Sequence, residues 1–448
     1  MTPTGATRTI AEFATAARRG TSPTSDHVGR LLQDTVGVAV AGVASDVGLR
    51  LLDWVAAESA PGEAAVWGTP LTLAPSQAAL VNGTIGHALD WDDAAPSMQM
   101  HPATVLLPAL LAQSVVDDAD GARLTAAYDV GSSVFRAVSE ALPLGYHYGR
   151  GWHNTSSTGR LAATAAVAHL AGLGVDETRH ALGIAASSVA GSLANFGTMT
   201  KPLHAGLAAR DAVMAVGLAR RGFTANPDQL EAPRGFFAAY GDSTPDLLAT
   251  LPDRLAHWET AWVTDYAIKR HPSCFATHLP IDAAIELHEG GGGPSIERVD
   301  LHVPAASLAP LLDHLPRTGL EGKFSLPYTV ARALTDGRVR LDDFTDERVA
   351  SLRGLTERVA VHTSDGRPPS RVELTLADGT RRAAEAEVSY GDARRPLSEE
   401  DLDAKFADAV AAAGHAPADV RRLGADLRAG VVAPSVAGLG RVLTDTFR

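Results

Sequence analysis

PSQAALVNGTIGHALDWDDAAPSMQMHPATVLLPALLAQSVV, residues 75–116, decides the fold class. Apolar residues recur at helical spacing over Pro75 to Ala88 and again over Thr104 to Val116, with Pro75 and Pro102 where a helix start tolerates a missing N–H. Both segments are apolar on nearly every face, as helices are when they are buried on all sides or lie in a subunit interface. His87 stands at the end of the first segment, and the loop between the two carries Asp90, Asp92, Asp93 and His101. If the first helix continued through that loop, His87, Asp90 and Asp93 would stack on one face at i, i+3 spacing.

The same helical period extends outward over His27 to Val43, Arg160 to Leu170, Thr178 to Leu193 and His204 to Arg220. Residues 1–264 therefore read as an all-α domain. The pattern changes after Trp262: Ile268 to Glu286 reads as helix, the glycine run at 290–293 follows, and ERVDLHVP (297–304) alternates as a strand. A helix over Ser325 to Leu334 precedes a meander made of ERVAVHTS (357–364) and SRVELTLADGTRRAAEAEVSYGD (370–392), turning at Asp378-Gly379. Residues 265–395 thus form a smaller α+β domain. SEEDLDAKFADAVAAAG (398–414) opens with a helix start signal, and residues 396–448 are expected to pack back on the first domain.

At 448 residues, 45% hydrophobic and 20% charged, the chain has ample core for two or three domains. A net charge of −13 argues against nucleic acid or an anionic membrane as a general partner, though a local cationic pocket stays open. The single cysteine, Cys274, allows no intrachain disulfide. The N-terminus lacks a signal-peptide core and no apolar run is long enough to span a membrane, so the expectation is a cytoplasmic protein. HExxH, CxxC, a Walker loop, GxGxxG after a strand and a nucleophile elbow are all missing, so neither a metal nor a cofactor is expected.

Of 39 basic residues only Lys201, Lys269, Lys323 and Lys405 are lysines. Where arginine replaces lysine so freely, the survivors mark places that need a compact ammonium. Lys201 and Lys269 stand near helix-opening prolines and fit an anion site. Lys323 lies near Tyr328 in a supporting position, and Lys405, with no chemical neighbours on its helix, reads as structural and tolerant of arginine.

His101-Pro102, Lys201-Pro202 and His271-Pro272 each put a basic residue ahead of a proline that opens a helix, where free N–H groups already favour an anion. In GWHNTSSTGRLAATAAVAHL (151–170), His153 precedes hydroxyls, among them Thr155 and Ser156, that either cap the helix or bind a carboxylate. The acidic run beside His87 offers acid–base pairs, an ordinary acidic helix end, or the divalent-metal motif of terpene synthases, for which no second ligand motif is present. Cys274 is read as core filler.

These stretches resemble the MmgE/PrpD family, whose members dehydrate 2-methylcitrate, decarboxylate cis-aconitate or epimerise iminodisuccinate. The likeness lies in ALVNGTIGHALDWDD (79–93), HPATVLLPALLA (101–112), GWHNTSSTGRLAATAAVAHLAGL (151–173), KPLHAGLAARDAVMAVGLARRGF (201–223), IKRHPSCFATHLPIDAA (268–284), GKFSLPYTVARALTDGRV (322–339) and PLSEEDLDAKF (396–406). It implies a mainly α fold, with a large helical domain built from both chain ends and an inserted α+β lid. It also implies a homodimer and a cofactor-independent site between the domains. Carried over residue by residue, it implies catalytic roles for His153, Asp93, His101 and Tyr328, with Lys201 and Lys269 binding a small di- or tricarboxylic acid; His204, Thr155 and Ser156 are expected to help bind it. The expected activity is that of a lyase or isomerase moving a proton beside a carboxylate, like a 2-methylcitrate dehydratase. A specialised isomerase or cyclase, or a binding protein without catalysis, are the alternatives. Two positions depart from the pattern: the decarboxylases carry a histidine where Cys274 stands, and Asn154 replaces a proline often found after the family's histidine.

Overall fold

The computed structural model describes residues 5–18, 22–241, 244–289, 295–366, 369–415, 419–436 and 439. It is mainly α. The principal core gathers helices α1 (Ser25–Val43), α2 (Pro75–His87), α3 (Ala103–Asp117), α4 (Gly121–Ala141), α5 (Asn154–Leu170), α6 (Val175–Ala186) and α7 (Thr200–Ala219). Alanine and glycine let these helices approach closely. A Cβ on Gly206 of α7 would stand 2.2 Å from the Leu80 carbonyl oxygen and 2.1 Å from Thr84 Oγ1, so α2 and α7 meet backbone to backbone.

The C-terminal stretch supplies α10 (Glu399–Ala412) and α11 (Val420–Ala429), numbered after two helices described below. Leu402, Phe406, Val410, Leu423 and Leu427 are buried in the same principal core. Ser398 caps α10 by accepting from the Asp401 N–H.

A second core lies between α8 (His278–Glu289), α9 (Leu326–Asp336) and a four-stranded sheet. Two short strands, β1 (Asp93–Ala94) and β2 (Ala267–Ile268), pair antiparallel and join the acidic loop to the start of this region. The sheet comprises β3 (Ile296–Pro304), β4 (Val359–Ser364), β5 (Ser370–Leu376) and β6 (Arg381–Ala386), in the order β4-β3-β5-β6.

Several elements differ from their sequence readings. The meander forms in part: its second hairpin, β5 to β6 turning at Asp378-Gly379, is present, but β4 does not pair with β5 and instead runs parallel to β3 through a β3–α9–β4 crossover, since parallel neighbours need a long connection. Helix α2 stops at His87, and Asp90 turns the chain with φ +50°, so the i, i+3 stacking of His87, Asp90 and Asp93 does not form. The reading of Ile268 to Glu286 as one helix also fails: helix begins only at His278, since Lys269 follows a strand and Pro272 disfavours helix in the residue before it. His271-Pro272 therefore opens no helix. The glycine run at 290–293 falls outside the described residues.

Candidate active site

The turn after α2 is the centre of the site, and all four lysines reach it. Lys323 Nζ donates to the Leu89 carbonyl at 2.8 Å, Lys269 Nζ to the Asp90 carbonyl at 2.9 Å, and Lys405 Nζ to the Trp91 carbonyl at 2.7 Å. Lys201 Nζ donates to Asp90 Oδ1 at 2.6 Å, with Lys269 Nζ 3.2 Å from the same oxygen. Every one of these lysines is buried. Asp90 adopts a left-handed conformation that aspartate tolerates better than most residues, and the three carbonyl contacts hold it there.

Burial would raise the Asp90 carboxyl, but Lys201 and Lys269 outweigh it and hold the group well below the usual carboxylate range. For Lys269, burial works downward and loses to Asp90 and Asp92, so its ammonium titrates above the ordinary value.

Histidines form the other wall. His87 Nδ1 lies 2.8 Å from Asp92 Oδ2, and His101 Nδ1 lies 2.7 Å from the Asp93 carbonyl and 3.3 Å from Asp92 Oδ2. His153, at the N-cap of α5, has its Nδ1 3.1 Å from that of His204 on α7, while its ring stacks 6.1 Å from His87. Burial lowers all four: His87 to about 3 with Lys201 adding to the effect, His204 to about 4, His153 well below the usual value, and His101 below it. The four are neutral at pH 7 and serve as proton donors and acceptors without adding charge. Asp92, pulled well below its ordinary range by His87 and His101 against the opposing effect of burial, stays ionised. It therefore accepts from His87 Nδ1–H and leaves Nε2 as a lone pair. His87 Nε2, Asp90 Oδ2 and Asp92 Oδ1 have no hydrogen-bond partner among the described residues.

The remaining expected residues divide by position. Thr155 accepts the His101 N–H at 3.1 Å and Ser156 donates to the His204 carbonyl at 3.4 Å, so both hydroxyls brace site histidines. Both Asp93 oxygens accept from the Ala103 N–H, at 3.0 and 3.1 Å, capping α3. Burial and the nearby Asp92 charge push the Asp93 carboxyl well above its ordinary range. Tyr328 sits in α9 with its hydroxyl donating to the Asp343 carbonyl, not to any member of the cluster. The aspartate that meets the lysines is Asp90, three residues earlier. Lys405 differs from its reading as a residue without neighbours: besides Trp91, it lies 2.5 Å from Asp34 Oδ1. Lysine rarity marks both Lys405 and Lys323, but nothing local in the sequence brings either to the Asp90 turn.

A narrow cleft of about 10 Å³ lies between the two cores, lined by His87, Asp90, Thr198 and Lys201 on one side and Lys323 and Phe324 on the other. His87, Asp90, Asp92 and His101 each bring one ligand atom within 4.8 Å of the others, a spacing that a metal ion requires. Asp90 Oδ1 already faces two ammonium groups, however, so this donor set is neutralised by the chain's own cations and fits a further divalent ion poorly.

The fold and cleft define a mainly α protein with a buried lysine–aspartate–histidine centre. The MmgE/PrpD N-terminal domain model matches residues 8–247, and the MmgE/PrpD C-terminal domain model matches residues 271–426. The chain belongs to the MmgE/PrpD family. It is 30% identical over 401 residues to a cis-aconitate decarboxylase of Mus musculus, covering 84% of this chain and 80% of that one. A cis-aconitate decarboxylase of Homo sapiens is 29% identical over 404 residues, 84% of this chain and 81% of the relative. One from Aspergillus terreus is 27% identical over 312 residues, 64% of this chain and 62% of the relative.

Proposed function

We propose that this protein is a cofactor-independent lyase acting on a small polycarboxylic acid, with decarboxylation of a cis-aconitate-like substrate the first reaction to test. The observation that carries the proposal is the convergence of Lys201 and Lys269 on Asp90 beside histidines kept neutral by burial. Loss of CO₂ leaves an electron pair on carbon, conjugated with a remaining carboxylate, and that carbon must then take up one proton. Fixed ammonium groups stabilise such enolate-like charge most where water is excluded. His153, paired with His204, relays that proton from solvent, taking one up as it gives one to carbon, and His101 orients the substrate from the same histidine wall. The second core acts as a lid that brings Lys323 to the cleft. A homodimer is part of the proposal, and sedimentation equilibrium measures it directly.

A second reading keeps the centre and changes the outcome. Cys274 stands where the family's decarboxylases resemble one another in carrying histidine, and burial raises its thiol to about 11, which leaves it protonated. That replacement favours dehydration or epimerisation of a related acid. Incubating cis-aconitate, 2-methylcitrate and iminodisuccinate with the enzyme in D₂O separates the readings by NMR. Release of CO₂ with one deuterium retained in the product is expected for decarboxylation; exchange without loss of carbon supports the isomerase. No turnover, exchange or binding with any of the three overturns the proposal.

A further inference from the structure

Lys201, Lys269 and Lys405 each lie within ion-pair distance of a carboxylate, at 2.6, 3.2 and 2.5 Å. Lys323 has none among the described residues. Its Nζ donates instead to two neutral carbonyls, those of Leu89 and Pro272, both at 2.8 Å, and lies 4.3 Å from the centre of the Phe344 ring. An ammonium has three N–H bonds, so the third is uncommitted. The side chain is 4% exposed, and it lines the cleft together with Lys201 and Asp90. A buried cation held by two carbonyls and an aromatic face, with no carboxylate partner among the described residues, at the edge of a cavity, is a costly arrangement that an anion would relieve.

We propose that Lys323 is a third substrate-binding cation, which receives a carboxylate of the bound acid across the cleft from Lys201. This rests on the reading of the cleft as a polycarboxylate site and narrows it: the substrate carries at least two carboxylates, one at each wall. The electrostatics support it. Burial, with Lys269 and Lys201 adding and Asp90 opposing, lowers Lys323 to about 7, so it is near half-charged at neutrality. The other ionisable group on the cleft wall is His87, which stays neutral. A bound carboxylate favours the charged form, so ligand binding draws a proton onto Lys323.

Because the chain has four lysines, protein labelled with 13C at lysine Cε gives four side-chain signals to follow against pH. Propane-1,2,3-tricarboxylate, saturated and unreactive, serves as the probe. The expected result is one signal titrating near neutrality, missing in Lys323→Arg, whose midpoint rises by at least about one pH unit when the probe binds. Lys323→Met should weaken probe binding about tenfold or more. Should Lys323→Met bind the probe as wild type does, with the wild-type Lys323 signal unmoved by saturating probe, the inference is overturned and the cleft reading stands. Failure of the probe and of cis-aconitate to bind wild type at millimolar concentration overturns both. The wild-type titration needs no variant, so it holds even if Lys323→Met folds poorly.

Discussion

At the scale of single residues, the turn at Leu89 to Trp91 explains why lysine persists in a chain that otherwise uses arginine. Each Nζ sits within 3.2 Å of a carbonyl or carboxylate in a buried space that has no room for a planar guanidinium fork. Lys201→Arg and Lys269→Arg are expected to lower kcat/KM on the true substrate by at least about a hundredfold, a loss near 3 kcal/mol of transition-state stabilisation. Wild-type turnover in both variants would remove these lysines from the mechanism. Asp90→Asn leaves two buried ammonium groups without their counterion, and chemical denaturation should report a loss of about 3–5 kcal/mol. An Asp90→Asn protein as stable as wild type would show that the lysines are neutralised in some other way.

Elements decide which aspartate does what. Asp93 is spent on the start of α3, so Asp93→Asn, which retains an acceptor for the Ala103 N–H, is expected to keep most of the activity that Asp90→Asn abolishes. Parallel turnover assays of the two variants check this, and equal loss would return Asp93 to the chemistry. The α2–α7 contact is a second element-scale constraint, because α7 carries Lys201 and α2 leads into the Asp90 turn. Gly206→Ala forces these helices apart and should cost about 1–3 kcal/mol by denaturant titration. The helical period in residues 75–116 was legible because these helices are apolar and uninterrupted. Where α2 ends was not, since no residue of HALDWDD is a glycine or proline. Only the three lysine–carbonyl contacts settle the left-handed turn at Asp90.

Over the whole molecule, the C-terminal helix reaches the centre of the site: Lys405 contacts a carbonyl 314 positions earlier in the chain. Lys405→Met should lower both stability, by about 3–5 kcal/mol from the orphaned Asp34, and turnover. Adding Asp34→Asn should recover stability and leave turnover low; recovery of both would make Lys405 purely structural. The buried histidines set a pH dependence. His87, His101, His153 and His204 bind protons near 6.5 in the unfolded chain but only at lower pH in the folded one, His87 at about 3 and His204 at about 4. The unfolded state takes up more protons below 6.5, so stability is complete above that value and falls as the pH drops toward 4. One such group costs about 2 kcal/mol at pH 5. Melting temperatures between pH 7 and 5 should decline steeply; a flat profile would show that these histidines are solvated.

Sequence alone determined the mainly α character, because helical periodicity and the Ala and Gly content are local properties that tertiary contacts reinforce. It also determined the family, but of the residues expected to act on or bind the substrate only Lys201 lines the cleft. It could not say that β4 runs parallel to β3, because strand pairing is a choice among partners far apart in the chain. Nor could it distinguish Asp90 from Asp93, or show that Lys405 meets the same turn as Lys201. Those assignments rest on which buried charge lies within a few ångströms of which carbonyl, a distance that exists only once the chain has folded.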